Sequence, residues 1–228
     1  MTTTWDSRLP LDLVARMTGD EKHSPAALST LDALWVLYDR VLRVSPETAT
    51  AQDRDRFLLS KGHGPMAYYA VLAAKGFLTP EQLDGFGGWD SPLGHHPDRT
   101  LVPGAEIGSG SLGHGLGLAV GTALGLRAQG LDDPAVWVLV GDAELDEGSN
   151  HEAVAYAGAV GLDRLHVLVV DNQSATHGWH GGIAAHFDVA GWSTATVDGR
   201  DHDALYAAFT QPHPGRPHAV VAVTEPKH

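Results

Sequence analysis

The chain has 228 residues, no cysteine, and 28 acidic against 15 basic side chains, for a formal net charge of −13. That balance excludes a nucleic-acid backbone or an anionic membrane surface as the main partner, and the missing thiols exclude a disulfide framework or a thiolate metal site. Chains beyond about 150 residues bury roughly 70% of their extended surface, so a full core is expected in one domain over residues 1–228, with a helical extension over about 1–50.

Ser24-Pro25 offers a cap and a first helical residue. Leu28, Leu31, Leu34, Trp35, Tyr38, Val41 and Leu42 then recur at three- and four-residue steps, which predicts a packed helix over 25–43. Further on, short apolar runs at 56–60, 136–140, 165–170, 193–197 and 219–223 read as strands. Segments of helical period lie between them, at 65–75, 112–128, 150–160 and 201–210. The apolarity of 136–140 and 167–170 is continuous and does not alternate, as in strands buried on both faces. The alternation of strand and helix predicts an α/β fold, a parallel β-sheet flanked by helices with right-handed crossovers. The segment 85–113 holds eight Gly and little periodicity, and it is too long for an ordinary connector; a functional loop is expected there. Residues 1–20 carry no apolar core flanked by basic residues, and no apolar run approaches about 18 residues. A cytoplasmic protein with no membrane partner is the expectation.

In a parallel sheet the carboxyl ends of neighbouring strands open onto one crevice, where ligands bind. Gly141-Asp142 ends one apolar run and Asn172 ends the next. A carboxylate and an amide oxygen there form a hard-oxygen site for a cation that carries phosphate. Asp142 could equally cap the following helix. The crowding of Glu144, Asp146 and Glu147 behind it tips the balance toward a cation, since such acids repel one another unless a positive charge or a helix N-terminus absorbs them. Gly108-Ser109-Gly110-Ser111-Leu112-Gly113 spells G-x-G-x-x-G, but no strong strand precedes it, and Asp132 and Asp133, at roughly the right separation, precede the next strand instead of ending it, which argues against a nicotinamide cofactor. Its glycines are expected to let the backbone approach a flat ring or a phosphate at a helix start. Among fourteen histidines, His63 sits between a strand and a helix, suited to an anion contact or proton donation. His96 in the Gly-rich loop and His23 before the first helix could reach the same crevice, whereas His213, His218 and His228 are expected to be solvated. A zinc site from His95, His96, His177 and His180 lacks a convincing ligand spacing.

Five stretches together resemble the N-terminal, diphosphate-binding half of transketolase, in the form split into two subunits. They are His23 with its helix; Asp55-Arg56-Phe57-Leu58-Leu59-Ser60-Lys61-Gly62-His63; Gly94-His95-His96-Pro97-Asp98; Gly110-Ser111-Leu112-Gly113-His114-Gly115; and Gly141-Asp142-Ala143-Glu144 running through Asn172. The match keeps its order over about residues 8–210. It implies the thiamine-diphosphate-binding fold (the PP module), with thiamine diphosphate held through Mg²⁺ or Ca²⁺. Asp142, Asn172 and the main-chain carbonyl of Ser174 would be the metal ligands. His63, Gly141, the Ala143 backbone and Asn172 would meet the diphosphate, and Gly110, Ser111 and Leu112 would hold the two rings. His23, His63 and His96 would be the catalytic histidines, with His23 and His96 facing hydroxyls of a ketose donor.

The chain departs from that pattern at Ala143, usually Gly; at His114, usually Gln; at Ser174, usually apolar; at His95, usually Gly; and over 19–22. The sequence stops at His228, without a pyrimidine-binding domain. The resemblance therefore implies a partner subunit carrying that domain, most simply in an α2β2 heterotetramer that moves a two-carbon ketol unit between a sugar (phosphate) donor and an aldose acceptor. Two alternatives stand beside it: an E1-like subunit of a decarboxylating 2-oxoacid enzyme, and a non-catalytic paralogue that scaffolds a partner.

Overall fold

The computed structural model describes residues 8–20 and 23–226. Five strands, β1 (Arg56–Leu59), β2 (Val136–Gly141), β3 (Leu165–Asp171), β4 (Ser193–Asp198) and β5 (His218–Val223), form one parallel sheet in the order β1-β2-β3-β5-β4. All six residues of β2 are buried, as the unbroken apolar run predicts. The helices are α1 (Arg8–Val14), α2 (Ser24–Val36), α3 (Met66–Ala74), α4 (Pro80–Leu83), α5 (His114–Ala128), α6 (Gly148–Ala159), α7 (Ile183–Val189) and α8 (His202–Phe209).

Successive strand residues face opposite sides of the sheet. Phe57, Leu59, Trp137, Leu139, Leu168, Val170, Val220 and Ala222 pack into one layer with apolar residues of α1, α2, α3 and α8. Leu58, Val136, Val138, Val140, Val167, Val169, Ala219 and Val221 pack into the other, with α5, α6, Phe187 and Trp192. The result is three layers, with the carboxyl ends of all five strands on one edge.

Local differences from expectation have local causes. Helix α2 begins at Ser24, so His23 stands at the N-cap position and makes no side-chain capping bond there. The helix then widens into a π-helical turn, Leu37–Val41, closed by Leu42 N–H to the Leu37 carbonyl at 2.9 Å. Arg43 lies beyond it because Asp55 accepts its N–H (2.9 Å), and its guanidinium binds Asp55 and Asp133. Helix α7 has no counterpart in the expected elements: Phe187 is its buried residue, too little for a periodic signal. The 85–113 segment is a loop without helix or strand, pinned by Tyr69 Oη to the Gly94 carbonyl (2.9 Å) and Tyr68 Oη to the Gly104 carbonyl (3.1 Å).

His218 is not solvated. It begins β5 fully buried, and its Nε2 lies 3.0 Å from the Ala208 carbonyl. His213 is half-buried and stacks on it at 4.9 Å, while His166 stacks on Trp137 at 4.2 Å; His228 lies outside the described residues. Burial holds His166 well below the ordinary histidine value, with His213, His218 and Arg164 adding to the effect, and burial likewise lowers His218. Both are therefore neutral in the fold and take up a proton more readily once unfolded. The stability they support is complete above the unfolded value of 6.5 and is lost as pH falls below it. The urea midpoint should drop between about pH 7.5 and about pH 5.5, and His166→Phe, which keeps the stack on Trp137, should flatten that slope. An equal slope in the variant would count against this origin.

Candidate functional site

The carboxyl ends of β1, β2 and β3 lie side by side, and above them opens a cavity of about 260 Å³. It is lined by Ala26, Lys61, His63, Leu112, Gly141, Ala143, Glu144, Asn172 and Ser174. Asp142 and Asn172 are each 1% exposed. Ser174 donates to Asp142 from both N–H and Oγ at 2.6 Å, and Ala175 N–H adds a third bond at 3.0 Å. Asn172 Nδ2 donates to Ser29 Oγ at 3.3 Å, but Asn172 Oδ1 is buried with no hydrogen-bond partner. A buried acceptor without a donor is uncommon. A buried amide oxygen without a partner and a buried carboxylate are donors that Mg²⁺ or Ca²⁺ accepts, so Asn172 and Asp142 fit the implied cation. Gln173, between Asn172 and Ser174, has φ of 56° and is the one non-glycine residue with positive φ among those described. Holding it there costs about 1 kcal/mol; the turn brings Ser174 back over Asp142. Among the described residues, no three His, Asp or Glu side chains converge as a metal cluster.

The three acids behind Asp142 have different surroundings. Glu144 is buried at the junction of three elements: it accepts from Ser60 Oγ, from Gly113 N–H at 2.9 Å and from Gly141 N–H at 3.3 Å. Burial raises its carboxyl above the usual range, partly offset by those bonds and by Lys61. Asp146 Oδ2 accepts from His177 N–H at 3.3 Å while its Oδ1 is buried with no hydrogen-bond partner, and Glu147 is exposed. The same contacts correct the helix start. Helix α5 begins at His114, not 112, and Gly115 N–H donates to Ser60 Oγ at 2.9 Å. The amides of Gly113, ahead of α5, and of Gly115, in its first turn, are thus engaged by Glu144 and Ser60.

Lys61 is a site residue that motif reading passed over. It is 8% exposed; its Nζ donates to the Ala26 carbonyl and Thr30 Oγ1, both at 2.9 Å, and to the His63 carbonyl at 3.5 Å. Its stem crosses Gly141, where an added Cβ would lie 3.2 Å from Lys61 Cδ. A lysine directly after a buried strand was the available signal. Ala26, Ser29 and Thr30, all on α2, reach the site only through the tertiary fold.

The three expected histidines come together. His63 lines the cavity, with the His23 ring 6.0 Å away on one side and the His96 ring 5.2 Å away on the other, edge-on at 87°. His96 Nδ1 lies 3.2 Å from the Gly62 carbonyl. Gly110 has φ of 131°, and a Cβ there would press against the His96 ring at 3.2 Å, so glycine is required. Leu112 lines the cavity; Ser111 is exposed and does not.

A parallel sheet with buried oxygen acceptors and three neighbouring histidines beside the carboxyl ends of its strands is an α/β fold with a candidate ligand pocket at that edge. Comparison with known proteins sharpens this class. The family model for the transketolase thiamine diphosphate binding domain matches residues 7–224. A Rhodococcoides fascians protein called ferredoxin fas2 is 59% identical over 92% of this chain and 69% of its own length. An apulose-4-phosphate transketolase subunit of Actinobacillus succinogenes is 34% identical over 89% of this chain and 75% of its own. The transketolase structure from Leishmania mexicana superposes with a TM-score of 0.75 at 26% identity, covering 91% of this chain and 37% of that one. The chain belongs to the transketolase family, as its N-terminal thiamine-diphosphate-binding domain. It spans a little over a third of the Leishmania chain and three quarters of the separate Actinobacillus subunit.

The junction under the site yields a direct test. An added Cβ at Gly115 would lie 2.2 Å from Ser60 Cβ. Gly115→Ala should therefore destabilise the fold by about 1–3 kcal/mol in denaturant unfolding, although alanine is the better helix former. Unchanged or raised stability would show that Ser60 yields freely.

Proposed function

We propose that this chain is the thiamine-diphosphate-binding subunit of a two-component transketolase. In this reading it folds as one domain, works in the cytoplasm, and transfers a two-carbon ketol unit from a ketose (phosphate) to an aldose acceptor. The observation that carries the proposal is the unpartnered Oδ1 of Asn172, a residue lining the cavity that His63 and Lys61 also line. The cation, Mg²⁺ or Ca²⁺, is held by Asp142, Asn172 and the Ser174 carbonyl. His63, Gly141, the Ala143 backbone and Asn172 receive the diphosphate, and Lys61 adds a buried positive charge along the same wall. Gly110, Ser111 and Leu112 hold the rings. When bound, the cofactor supplies the electron sink needed to break a carbon–carbon bond beside a carbonyl.

What this chain's residues contribute is orientation and proton traffic. His23 and His96 flank His63 and are placed to hydrogen-bond hydroxyls of the ketose. Three clustered histidines favour a polyhydroxylated substrate over a 2-oxoacid, which offers fewer hydroxyls to bind. Relatives that are named as single subunits of apulose-4-phosphate transketolases support a partner subunit with the pyrimidine-binding domain. We propose that this partner joins the chain in an α2β2 heterotetramer. The intact cation donors argue against a scaffold without cofactor.

Calorimetry with thiamine diphosphate and Mg²⁺, with the partner present, should show binding; its absence would favour the scaffold. Asp142→Ala should weaken that binding by more than about 100-fold while leaving the circular dichroism spectrum unchanged. Normal binding by the variant would sink the metal assignment. The assembled enzyme should turn over a ketose phosphate, and turnover of pyruvate alone would move the assignment to the 2-oxoacid enzymes.

A further inference from the structure

Beside the cavity, one buried carboxylate serves two imidazoles. Asp20 is 5% exposed. Its Oδ1 lies 2.6 Å from His23 Nδ1 and its Oδ2 lies 3.3 Å from His95 Nδ1. Among the described residues, both of its ion-pair partners are histidines. Burial pushes the Asp20 carboxyl up, but the hydrogen bonds from His23 and His95 outweigh it and hold the group below the usual carboxylate range.

An ionised carboxylate only accepts, so the Nδ1 facing it carries the proton, and a neutral His23 then has its lone pair on Nε2. His96 is in the same position, with its Nδ1 facing the Gly62 carbonyl. The two rings that flank His63 are thus set alike, by acceptors behind them. Capping of helix α2 does not account for Asp20. Helix α2 has His23 at its N-cap position, and the Asp20 carboxylate bonds to imidazoles rather than to α2 amides. His95 is the solvent-facing member of the pair: its side chain is 55% exposed and its ring rests edge-on against Phe86 at 5.4 Å.

We propose that Asp20 is a positioning residue of the substrate pocket: its carboxylate fixes the Nδ1–H tautomer and orientation of His23 and docks His95 beside it, so that His23 presents Nε2 as an acceptor for a substrate hydroxyl. This deepens the ketose-transferring function and rests on His23 facing the substrate. It also gives a use to a segment, 19–22, that departs from the family pattern.

The test is the tautomeric state of His23 in this chain, read from long-range ¹H–¹⁵N spectra of protein labelled at histidine, recorded at about pH 8 where an ordinary imidazole is neutral. His23→Gln identifies the signals. The wild-type ring should show a protonated Nδ1 and an unprotonated Nε2. Asp20→Ala should abolish the predominance of that tautomer, Asp20→Glu should retain it, and His95→Ala should leave it in place. A protonated Nε2 in the wild type, or an unchanged tautomer in Asp20→Ala, would overturn the proposal; the wild-type spectrum alone decides if Asp20→Ala does not fold. Binding of thiamine diphosphate with Mg²⁺, measured on the same samples, reports on the cofactor reading separately. Absent binding with the expected tautomer would sink that reading and leave Asp20 in its assigned role.

Discussion

The Glu144 carboxylate is the constraint on which the site depends. It draws together Ser60 at the end of β1, Gly141 at the end of β2 and Gly113 ahead of α5. None of these groups is near another in sequence, and each is buried where water cannot substitute. A buried acceptor gathering several donors in low dielectric binds them more firmly than solvent could, and losing any one donor leaves a polar group stranded. The carboxyl edge of the sheet is therefore fixed before any ligand arrives. Lys61, His63 and Asp142 are each within one to three residues of a group tied into this junction, which sets where their side chains emerge.

Upon that base the site uses two kinds of neighbour. Asp142 is oriented by Ser174 and Ala175, whose amides return to it through the left-handed Gln173. The histidines are oriented by acceptors set behind them, Asp20 for His23 and a carbonyl for His96. The pattern leaves acceptor atoms, Asn172 Oδ1 and imidazole nitrogens, as the groups offered forward. Under the proposed function such a surface would favour cations and hydroxyls.

Much of this was legible in the sequence because it depends on local pattern. Strands buried on both faces must be continuously apolar, so 136–140 and 165–170 showed themselves, and with them the parallel sheet and the placing of Asp142 and Asn172 after neighbouring strands. His23, His63 and His96 were legible through motif spacing. What escaped depends on contacts across the fold. Glu144 looks in sequence like one more acid in a repelling cluster; only its meeting with Ser60 and Gly113 makes it a junction. Lys61 reads as a surface lysine until α2 closes over it. His218 reads as solvated because a lone imidazole in a polar stretch gives no sign that it will begin a central strand. Helix α7 buries too little to leave a period, and Asp20 sits in a stretch with no regular pattern.

The two apolar layers lie on opposite faces of the sheet, and the cavity draws its wall from elements of both. Ala26 comes from the α2 layer; Leu112 precedes α5 in the other. Its width is thus set by how the layers sit across the strand ends rather than by a hinged cover. A slip of α2 along the sheet, even a fraction of a helical turn, would change the gap between Lys61 and Asn172 and carry His23 with it. Access to this pocket is in that sense a property of core packing, and substitutions deep in either layer would be felt at the site as changes in aperture.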